Sequence, residues 1–408
     1  MFLLKVKYIR ILCLLLSMFS LIEALEIVDD IVSIDVLIYQ YQAGDDDITF
    51  SSVSGFYLKS EDKKLNNIKD ESITISKVLT NSKVVIKNKV YSLPLEIISE
   101  SPIRFKELEY SGFIKIKEAQ NNKLVIINCI DLESYVAGVI SAEIGASSPF
   151  EALKAQAIAT RTITIKKILN NKHQKDGYDL CSTVHCQVYK GLKNQSSASY
   201  RSAIETSGLI LVYNNQPIDA VYSSSCGGVS ESTENLWGFK LDYSTVKTDS
   251  YCIDVEQLSG WQKKYLNWQK DFSVIQLQQM FTITNISAIR YNRVSEFKPG
   301  SNSDRIEKIE IIGNKIVTIE GQYKIRETFN LPSSLFIVYS EDNSLEELNR
   351  NSKIILAGNG YGHGVGMCQT GAIVRAKSGQ TYQEILHFYY PNTEINSEWL
   401  LNNITKEK

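Results

Sequence analysis

Short stretches in which apolar and polar residues alternate dominate the chain between residues 27 and 128. Examples are VSIDVLIYQY, FYLKS, KVVIKNKVYSL, GFIKIKEA and KLVIINCI, which are separated by turn-forming residues. Alternation with a period of two is typical of strands that bury one face. We therefore predict a mostly antiparallel, β-rich N-terminal region over residues 25–128.

In the segment DLESYVAGVISAEIG, apolar residues recur with the 3.6-residue period of an α-helix. Glu143 falls on the same narrow arc of this helix as three apolar residues, so a carboxylate continues an apolar stripe. These apolar residues are Leu132, Val136 and Val139. A carboxyl group on an apolar face loses hydration when it is charged, which raises its pKa and suits a general acid. Glu143 is therefore a candidate catalytic residue, and Gly145 is suited to end the helix.

The next helix is predicted from Pro149, its first helical position, to about Leu169, and Ser148 as the N-cap forms a capping box with Glu151. Lys154 and Arg161 are seven residues apart in it, so both cations emerge on one face. A structural role for Glu143 is the alternative, in which it pairs with one of these cations and joins the two helices.

Beyond residue 253, one helical pattern, FSVIQLQQMF, mixes with strand patterns such as RIEKIEIIG and KIVTIEG. The glycine-rich run GNGYGHGVGMCQTGA follows, and then two helices, the second opened by a capping box of Thr381 and Glu384 and ending before Pro391. The predicted fold class is α+β, with helical catalytic core segments packed with mixed and antiparallel β regions. The predicted domains are a signal peptide or N-terminal anchor (1–24), the β-rich region (25–128), a catalytic core with a Cys/His loop (129–253), an inserted α+β region (254–345) and a C-terminal part that completes the core (346–408).

Composition and charge narrow the classes of function. The 408 residues carry 44 Lys and Arg against 46 Asp and Glu, a net charge of −2, so nothing in the bulk charge indicates nucleic-acid binding. The N-terminus places basic residues before the apolar run 11–22, which is a signal-peptide layout, with cleavage near Ala24. An uncleaved segment would be the only membrane anchor. The predicted location is therefore outside the cytoplasm, in the cell envelope.

Several standard catalytic motifs are absent, namely GxxxxGK[ST], HExxH and GxSxG. The alternating glycines around Tyr361 and His363 let a backbone approach a ligand closely, but they do not form a nucleotide-binding motif. A tight hairpin packed under the following helix is the structural alternative to a groove floor that contacts an extended substrate.

The cysteines allow either a metal or disulfides. Cys181, His185 and Cys186 offer two thiols and an imidazole within six residues, a spacing that suits zinc but lacks a fourth ligand. In an oxidising compartment the two thiols are instead candidates for a disulfide. Cys226 and Cys252, which bracket a Gly-Gly turn, are the more natural disulfide pair. Cys129 and Cys368 have the pattern of buried apolar residues.

Together these segments resemble the stage II sporulation protein D family, which also includes the amidase-enhancer proteins of bacterial cell walls. The resemblance covers most of the chain after the signal segment. The motifs that carry it are LESYVAGVISAEI, PFEALKAQAIATRT, DLCSTVHCQVYKG, AVYSSSCGGVSESTENLWG, RIEKIEIIG with NLPSSLFIV, and GYGHGVGMCQTGA with ILHFYYPNT.

The resemblance implies a lytic transglycosylase that cleaves peptidoglycan glycan strands lacking stem peptides. Glu143 matches the family's catalytic acid, and Lys154 and Arg161 match its supporting basic residues. Such an enzyme needs a single carboxylate, because the C6 hydroxyl of N-acetylmuramic acid attacks its own C1 and closes a 1,6-anhydro ring. Ordinary glycosidases use two carboxylates.

Other matched positions are expected to hydrogen-bond sugar hydroxyls and amides. They are Gln156, Ser224, Ser225, Tyr361, His363 and Gln369. Cys181, His185 and Cys186 match a family loop associated with a metal, for which we expect a structural zinc. Ile163 and Thr370 stand where the family usually has aromatic residues, which would remove surface for stacking on sugar rings.

Two alternatives to the transglycosylase stay open. One is a non-catalytic wall-binding protein that enhances an N-acetylmuramoyl-L-alanine amidase, and the other is a zinc-dependent hydrolase that uses the Cys/His loop. The expected partners are glycan strands and, functionally, a cell-wall amidase. The family name refers to sporulation, but remodelling of the division septum needs the same chemistry.

Overall fold

A computed structural model describes residues 33–42, 45, 47–60, 65–79, 82–119, 123–298, 300–341 and 344–403. These residues have an α+β fold with a β-rich N-terminal region, as the sequence predicts. Within them, no helix combines the length and the apolar character needed to cross a membrane. The predicted signal segment lies outside the described residues.

The chain divides into two compact units. Unit 1 comprises residues 1–142, 164–210 and 396–408, and unit 2 comprises residues 143–163 and 211–395. Glu143 is thus the first residue of unit 2. The domain limits given above stay predictions.

Two β-sheets form most of the described part of unit 1. One has the strand order β13-β1-β12-β11-β8-β3-β4, and the other has the order β10-β9-β2-β5-β6-β7. Neighbouring strands are antiparallel except for β1 and β13, which are parallel. The strands are β1 Ser33–Gln40, β2 Ile48–Ser51, β3 Phe56–Lys59, β4 Leu65–Ile68, β5 Ser72–Leu79, β6 Lys83–Ile86, β7 Lys89–Ser92, β8 Leu95–Ile98, β9 Ile103–Phe105, β10 Leu108–Tyr110, β11 Phe113–Ala119, β12 Lys123–Asp131 and β13 Leu180–Cys181.

Strand β12 is buried on both faces and leads directly into a helix. Its one buried polar side chain, Asn128, donates to the carbonyls of Ser111 and Phe113 and accepts from the Tyr189 hydroxyl at 2.7 Å. These bonds satisfy the amide, as a buried polar group requires. Asp131 then caps the helix Leu132–Ile140 by accepting from the Ser134 amide at 2.8 Å.

The remaining described helices of unit 1 are short. Ser197–Glu205 packs against Leu132–Ile140, and Ser141 donates to the Ser199 hydroxyl at 2.9 Å. A 3₁₀ turn covers Gln174–Asp176, and the helix Trp399–Asn403 lies near the C-terminus.

From residue 210 onwards the chain forms several small sheets. Their strand orders are β15-β14-β24, β16-β23, β17-β22-β21 and β18-β19-β20. The strands are β14 Ile210–Tyr213, β15 Gln216–Pro217, β16 Tyr222–Ser223, β17 Trp268–Ser273, β18 Ala288–Arg293, β19 Ile306–Ile312, β20 Ile316–Glu320, β21 Phe336–Ser340, β22 Lys353–Gly358, β23 Met367–Cys368 and β24 Glu394–Asn396. The helices are Thr233–Trp237, Gly260–Lys263, Val274–Phe281, Val294–Phe297, Gln322–Phe329, Gln369–Lys377 and Tyr382–Tyr389, with a 3₁₀ turn at Ser250–Ile253.

The main hydrophobic core of unit 2 contains side chains from strands β17 to β22 and from the helices Val274–Phe281 and Gln322–Phe329. It includes Leu277, Ile311, Ile325, Phe329 and Leu356. The helix Val274–Phe281 matches the predicted pattern FSVIQLQQMF. The capping box of Thr381 and Glu384 is also confirmed, and its helix ends at Tyr389.

The helix Phe150–Leu169 does not begin with the predicted capping box. The Ser148 hydroxyl instead donates to the carbonyl of Ile144 at 2.8 Å. The Glu151 carboxylate accepts from the backbone N–H of Tyr382 at 2.8 Å. Partners distant in the sequence have therefore replaced the local ones, and the helix begins one residue later than expected.

Candidate functional site

Glu143 lies in a single π-helical turn, Ser141–Gly145, that follows the helix Leu132–Ile140. Its side chain is half-buried. The i→i+5 spacing of a π turn is wider than that of an α-helix, so Glu143 does not continue the apolar stripe at 3.6-residue spacing that the sequence indicates. Such turns are frequent at functional sites. Gly145 ends the turn with a φ of 86°, as predicted for a helix stop.

Lys154 is half-buried in unit 2 and has aromatic and acidic neighbours. Its Nζ lies 3.4 Å from the Glu151 carboxylate, 4.6 Å from the centre of the Phe150 ring and 5.8 Å from that of Tyr382. These contacts hold the ammonium group near the start of the helix Phe150–Leu169.

Arg161 lies seven residues later in the same helix and is 0% exposed. The structure places Glu143, Lys154 and Arg161 in one unit, and both cations lie on one helix. Their catalytic roles stay predictions.

Gln156 and Gln369 form a buried pair. The Gln369 amide donates to Gln156 Oε1 at 3.2 Å, and the Gln156 amide donates to the Thr160 hydroxyl at 3.2 Å. The two glutamines are 0% and 1% exposed. In this structure they bind each other, and the expected contact with sugar stays a prediction.

Ser224 and Ser225 lie on an extended segment beside the glycine-rich loop. Ser225 and Tyr361 exchange backbone hydrogen bonds of 3.0 and 2.9 Å. The Ser224 carbonyl accepts from the backbone and the hydroxyl of Thr370. Ser224 is half-buried, whereas Ser225 is buried and its hydroxyl lies 3.3 Å from Cys252 Sγ.

Tyr361 and its neighbours present aromatic surface to solvent. Tyr361 is 43% exposed, and its ring lies 4.3 Å from that of Tyr265 between ring centres, at an interplanar angle of 37°. Trp237 is 44% exposed and lies 5.6 Å from the His363 ring and 6.1 Å from Phe239. Exposed aromatic faces of this kind can stack on sugar rings.

His363 is held by the backbone of its own loop. Its Nδ1 accepts from the backbone N–H of Val365 at 3.0 Å. Loss of hydration, reinforced by Arg326 and Arg305, lowers the pKa of His363 to about 4. The imidazole is therefore neutral near pH 7.

Tyr361 also forms one wall of a surface cavity of about 360 Å³ in unit 2. Arg326, Tyr323 and Asn330 line the same cavity. Within the described residues, Arg326 Nε is buried and has no hydrogen-bond partner. Burial also lowers the pKa of this guanidinium, although an arginine stays charged. A guanidinium group in a cavity wall is suited to an anionic group of a ligand.

The expectation that Ile163 and Thr370 remove a stacking surface is wrong. They are 6% and 0% exposed, so a side chain at either position faces the protein interior. The aromatic surface comes from other positions, Tyr361 and Trp237.

Cys181, His185 and Cys186 come together in unit 1, and His173 joins them. Their donor atoms all lie within 4.8 Å of one another, with S–N distances between 3.4 and 3.7 Å. Tetrahedral zinc, with bonds of about 2.3 Å to sulfur and about 2.0 Å to nitrogen, requires S–N separations near 3.5 Å. The four residues therefore fit a closed zinc site.

Backbone and side-chain contacts orient this Cys₂His₂ group. Lys167 donates to the carbonyls of His185 and Cys186 at 3.0 and 2.7 Å. Asp176 lies 3.5 Å from His173 Nδ1, the ring nitrogen that does not face the sulfur. A carboxylate in that position is the usual second partner of a zinc-binding histidine.

The cysteines of unit 2 do not form the predicted disulfide. Cys226 and Cys252 have free thiols. Cys368, expected to be a buried apolar residue, is buried, and its sulfur lies 3.4 Å from that of Cys252. Cys129 is buried in unit 1 among apolar side chains, as predicted.

Comparison with known proteins identifies the family. The family described as Stage II sporulation protein matches residues 120–213. The chain is also 32% identical to Stage II sporulation protein D of Bacillus subtilis over 297 residues, which are 68% of this chain and 78% of that protein. The chain belongs to the stage II sporulation protein D family.

Other relatives extend this comparison. An uncharacterized protein of Brachyspira hyodysenteriae is 28% identical over 84% of this chain and 89% of its own length. The Amidase enhancer of Bacillus subtilis is 29% identical over 64% of this chain, but the match covers only 40% of that protein. A domain of unknown function matches residues 231–366. That match includes Trp237, Tyr265, Arg326 and Tyr361.

Four residues of this family member were missed by sequence reasoning. Trp237 lies in the motif AVYSSSCGGVSESTENLWG but was not singled out, and Tyr265 and Arg326 lie in none of the motifs. The fold brings all three close to Tyr361 or His363. His173 could have been found, because it is one of only four histidines and lies eight residues before Cys181.

Proposed function

We propose that this chain is a peptidoglycan lytic transglycosylase that acts on glycan strands lacking stem peptides. Glu143 protonates the oxygen between N-acetylmuramic acid and N-acetylglucosamine, and the bond from that oxygen to C1 breaks. The C6 hydroxyl of the muramoyl unit attacks C1, and the Glu143 carboxylate accepts its proton. The product carries a 1,6-anhydro end, no water is consumed, and Glu143 regains its proton.

The observation that carries this proposal is the position of Glu143. It is a half-buried carboxyl group in a π-helical turn, in the same unit as two cations carried on one helix. A general acid and base of this kind must donate and then accept a proton in one cycle, and the half-buried position of Glu143 leaves its carboxyl group accessible to a substrate.

The neighbouring carboxylate supports a mechanism with one acid. The Glu151 carboxylate forms an ion pair with Lys154 and accepts a hydrogen bond from the backbone N–H of Tyr382. These contacts give Glu151 a structural role at the start of its helix. Glycosidases that use water or an enzyme nucleophile need two free carboxyl groups. In a lytic transglycosylase the substrate supplies its own nucleophile.

The glycan strand would bind at the exposed aromatic rings and at the cavity lined by Arg326. Sugar rings would stack on Tyr361 and Trp237. Removal of the stem peptide leaves a free lactyl carboxylate on each muramic acid, which Arg326 would bind. Ser224 and Ser225 would contribute hydrogen bonds from the same segment.

Zinc would be structural. His173, Cys181, His185 and Cys186 would hold it, and four protein donors leave no position for a reactive water. A bound zinc ion would supply a cross-link that fixes the loop after the helix Phe150–Leu169. This arrangement favours the transglycosylase over a zinc-dependent hydrolase.

The test is product analysis with purified full-length chain and stem-peptide-free glycan strands. We expect 1,6-anhydro-N-acetylmuramoyl ends in the mass spectrum, and a loss of at least about a hundredfold in rate for Glu143→Gln. Glu133→Gln is the matched control, because Glu133 is equally half-buried but contacts Ser207 and Gly208. Reducing muramoyl ends, or equal activity in Glu143→Gln, would refute the mechanism.

The Amidase enhancer relative favours a second candidate, a wall-binding protein that increases the activity of an amidase. It predicts that glycan strands bind but are not cleaved, and that adding the chain accelerates an N-acetylmuramoyl-L-alanine amidase on intact peptidoglycan. An equal acceleration by Glu143→Gln would assign that effect to binding. No acceleration by either form would exclude the candidate.

We also propose that the chain is exported and works in the cell envelope, where glycan strands are accessible. A cell-wall amidase would be its functional partner, because it removes the stem peptides from the substrate. The names of the relatives refer to sporulation, and septal remodelling would use the same reaction.

A further inference from the structure

Unit 2 contains a second group of potential metal ligands, Cys226, Asp249, Cys252 and Cys368. All four side chains are 0% exposed, and their donor atoms lie within 4.8 Å of one another. We call them the Cys₃Asp cluster. They come from three separate segments: the turn after β16, the 3₁₀ turn Ser250–Ile253 with the residue before it, and the end of β23. The fold has therefore assembled donors that are up to 142 residues apart.

The distances within the cluster suit tetrahedral zinc. Cys252 Sγ lies 3.4 Å from Cys368 Sγ, and Cys226 Sγ lies 3.7 Å from Asp249 Oδ2. Zinc bonds of about 2.3 Å to sulfur and about 2.1 Å to oxygen require S–S and S–O separations of about 3.8 and 3.6 Å. A disulfide needs sulfur atoms about 2.05 Å apart.

Hydrogen-bond donors surround the sulfur atoms. Cys368 Sγ accepts from the backbone N–H groups of Cys226 and Gly371 at 3.2 and 3.3 Å. The Ser225 hydroxyl lies 3.3 Å from Cys252 Sγ. Backbone N–H groups directed at sulfur are the outer partners that stabilise metal-bound thiolates.

The Asp249 carboxylate also accepts hydrogen bonds from two side chains. Arg375 donates to Oδ1 at 3.0 Å, and the Tyr389 hydroxyl donates to Oδ2 at 2.6 Å. A Cβ at Gly371 would lie 2.2 Å from Asp249 Oδ2, so only glycine allows the helix Gln369–Lys377 to approach so closely. These contacts fix a carboxylate oxygen among three sulfur atoms.

The surrounding charge matches a divalent cation. Three thiolates and a carboxylate carry four negative charges, and two buried cations adjoin them. Arg375 contacts Asp249, and Arg305 donates to the Cys226 carbonyl at 2.8 Å. The four negative charges exceed what these two cations offset, and a Zn²⁺ ion among the donors would compensate the excess, as a buried group of charges requires.

We propose that the Cys₃Asp cluster binds a zinc ion as a closed, structural site of unit 2. The ion would join the turn that carries Cys226, the 3₁₀ turn and the N-terminus of the helix Gln369–Lys377. This site is separate from the Cys₂His₂ group and does not depend on the catalytic role of Glu143.

The direct test is diffraction from zinc-soaked crystals of the full chain, with data collected on both sides of the zinc absorption edge. We expect an anomalous peak about 2.3 Å from the sulfur atoms of Cys226, Cys252 and Cys368. No peak there at saturating zinc, or a disulfide between two of these cysteines, would overturn the proposal. This measurement needs no variant, so it is decisive even if substitutions prevent folding.

Zinc content in solution provides the second test. Cys252→Ser should lose one zinc ion per chain relative to the wild type, measured by elemental mass spectrometry after exhaustive dialysis. Cys129→Ser is the matched control, because Cys129 is a buried cysteine outside both groups and should leave the zinc content unchanged. Equal zinc content in all three proteins would overturn the proposal.

The Cys₂His₂ group must be distinguished in the same assay. A chain with Cys181→Ser and Cys186→Ser should keep one zinc ion, and adding Cys252→Ser should remove it. Complete loss of zinc from the Cys181/Cys186 variant alone, while it remains folded by circular dichroism, would assign all the zinc to the other group and overturn the proposal.

Discussion

His173 and Cys186 are thirteen residues apart in the sequence, and His173 Nε2 lies 3.4 Å from Cys186 Sγ. The contact closes the loop after the helix Phe150–Leu169 and supplies the fourth donor that Cys181, His185 and Cys186 lack. Asp176, beside the opposite ring nitrogen, orients the imidazole.

We predict that His173→Ala weakens zinc binding at this group by at least about tenfold, because even the loss of an outer partner has that effect. The affinity is to be measured by competition with a chromophoric chelator. It should also fall as the pH decreases, because thiols and imidazoles bind metal only when deprotonated. His387→Ala, at an exposed position, is the control. Equal zinc retention in the two variants would contradict the assignment.

The buried pair of Gln156 and Gln369 gives a prediction about stability. Gln369→Ala leaves the Gln156 carbonyl oxygen buried without its partner, which should lower the free energy of unfolding by about 1–3 kcal/mol. The change should appear as a lower urea midpoint, with Gln383→Ala, on an exposed position, as the control. Weaker glycan binding with an unchanged midpoint would instead support the role of Gln369 as a sugar ligand.

Local signals predicted the local parts of the fold. The capping box of Thr381 and Glu384 needs only four consecutive residues, and the alternating pattern of β11 depends on that strand's own sequence. The family motifs also placed Glu143, Lys154 and Arg161 in one region of the chain.

Features that depend on distant partners were not predictable in this way. Glu151 matches a capping box, but Tyr382 occupies its carboxylate. Cys226 and Cys252 match a disulfide, but Cys368 and Asp249 complete a different group around them. A single sequence gives no information on which distant residues the fold brings together.

His363 makes the stability of the protein depend on pH. Its pKa is lowered from the ordinary value of 6.5 to about 4 in the folded protein, so the unfolded chain binds more protons between these two pH values. The contribution to stability is therefore complete above pH 6.5 and is lost as the pH falls through 4. From the size of the shift, the loss amounts to at most about 3 kcal/mol.

The measurement is the urea midpoint at pH 7 and at pH 4.5. His363→Gln should reduce the difference between the two midpoints, because glutamine does not titrate. His387→Gln should leave it as in the wild type. A pH dependence that is identical in all three proteins would show that another group is responsible.

Arg326 gives a prediction about substrate choice that depends on the proposed function. Arg326 is half-buried and lines the cavity beside Tyr361. A lactyl carboxylate exposed by removal of the stem peptide would pair with its guanidinium group. Because hydrogen bonds to charged groups contribute about 1.5–3 kcal/mol, Arg326→Gln should weaken the binding of such strands by about tenfold or more.

The measurement compares strands with free lactyl carboxylates and strands in which these groups have been chemically reduced to alcohols. The wild type should prefer the carboxylate form, and Arg326→Gln should bind both forms equally weakly. Arg290→Gln is the control, because Arg290 is an exposed arginine of the same unit that pairs with Glu346. If Arg326→Gln keeps the full preference for the carboxylate, the lactyl group binds elsewhere, and the cavity beside Tyr361 is not its site.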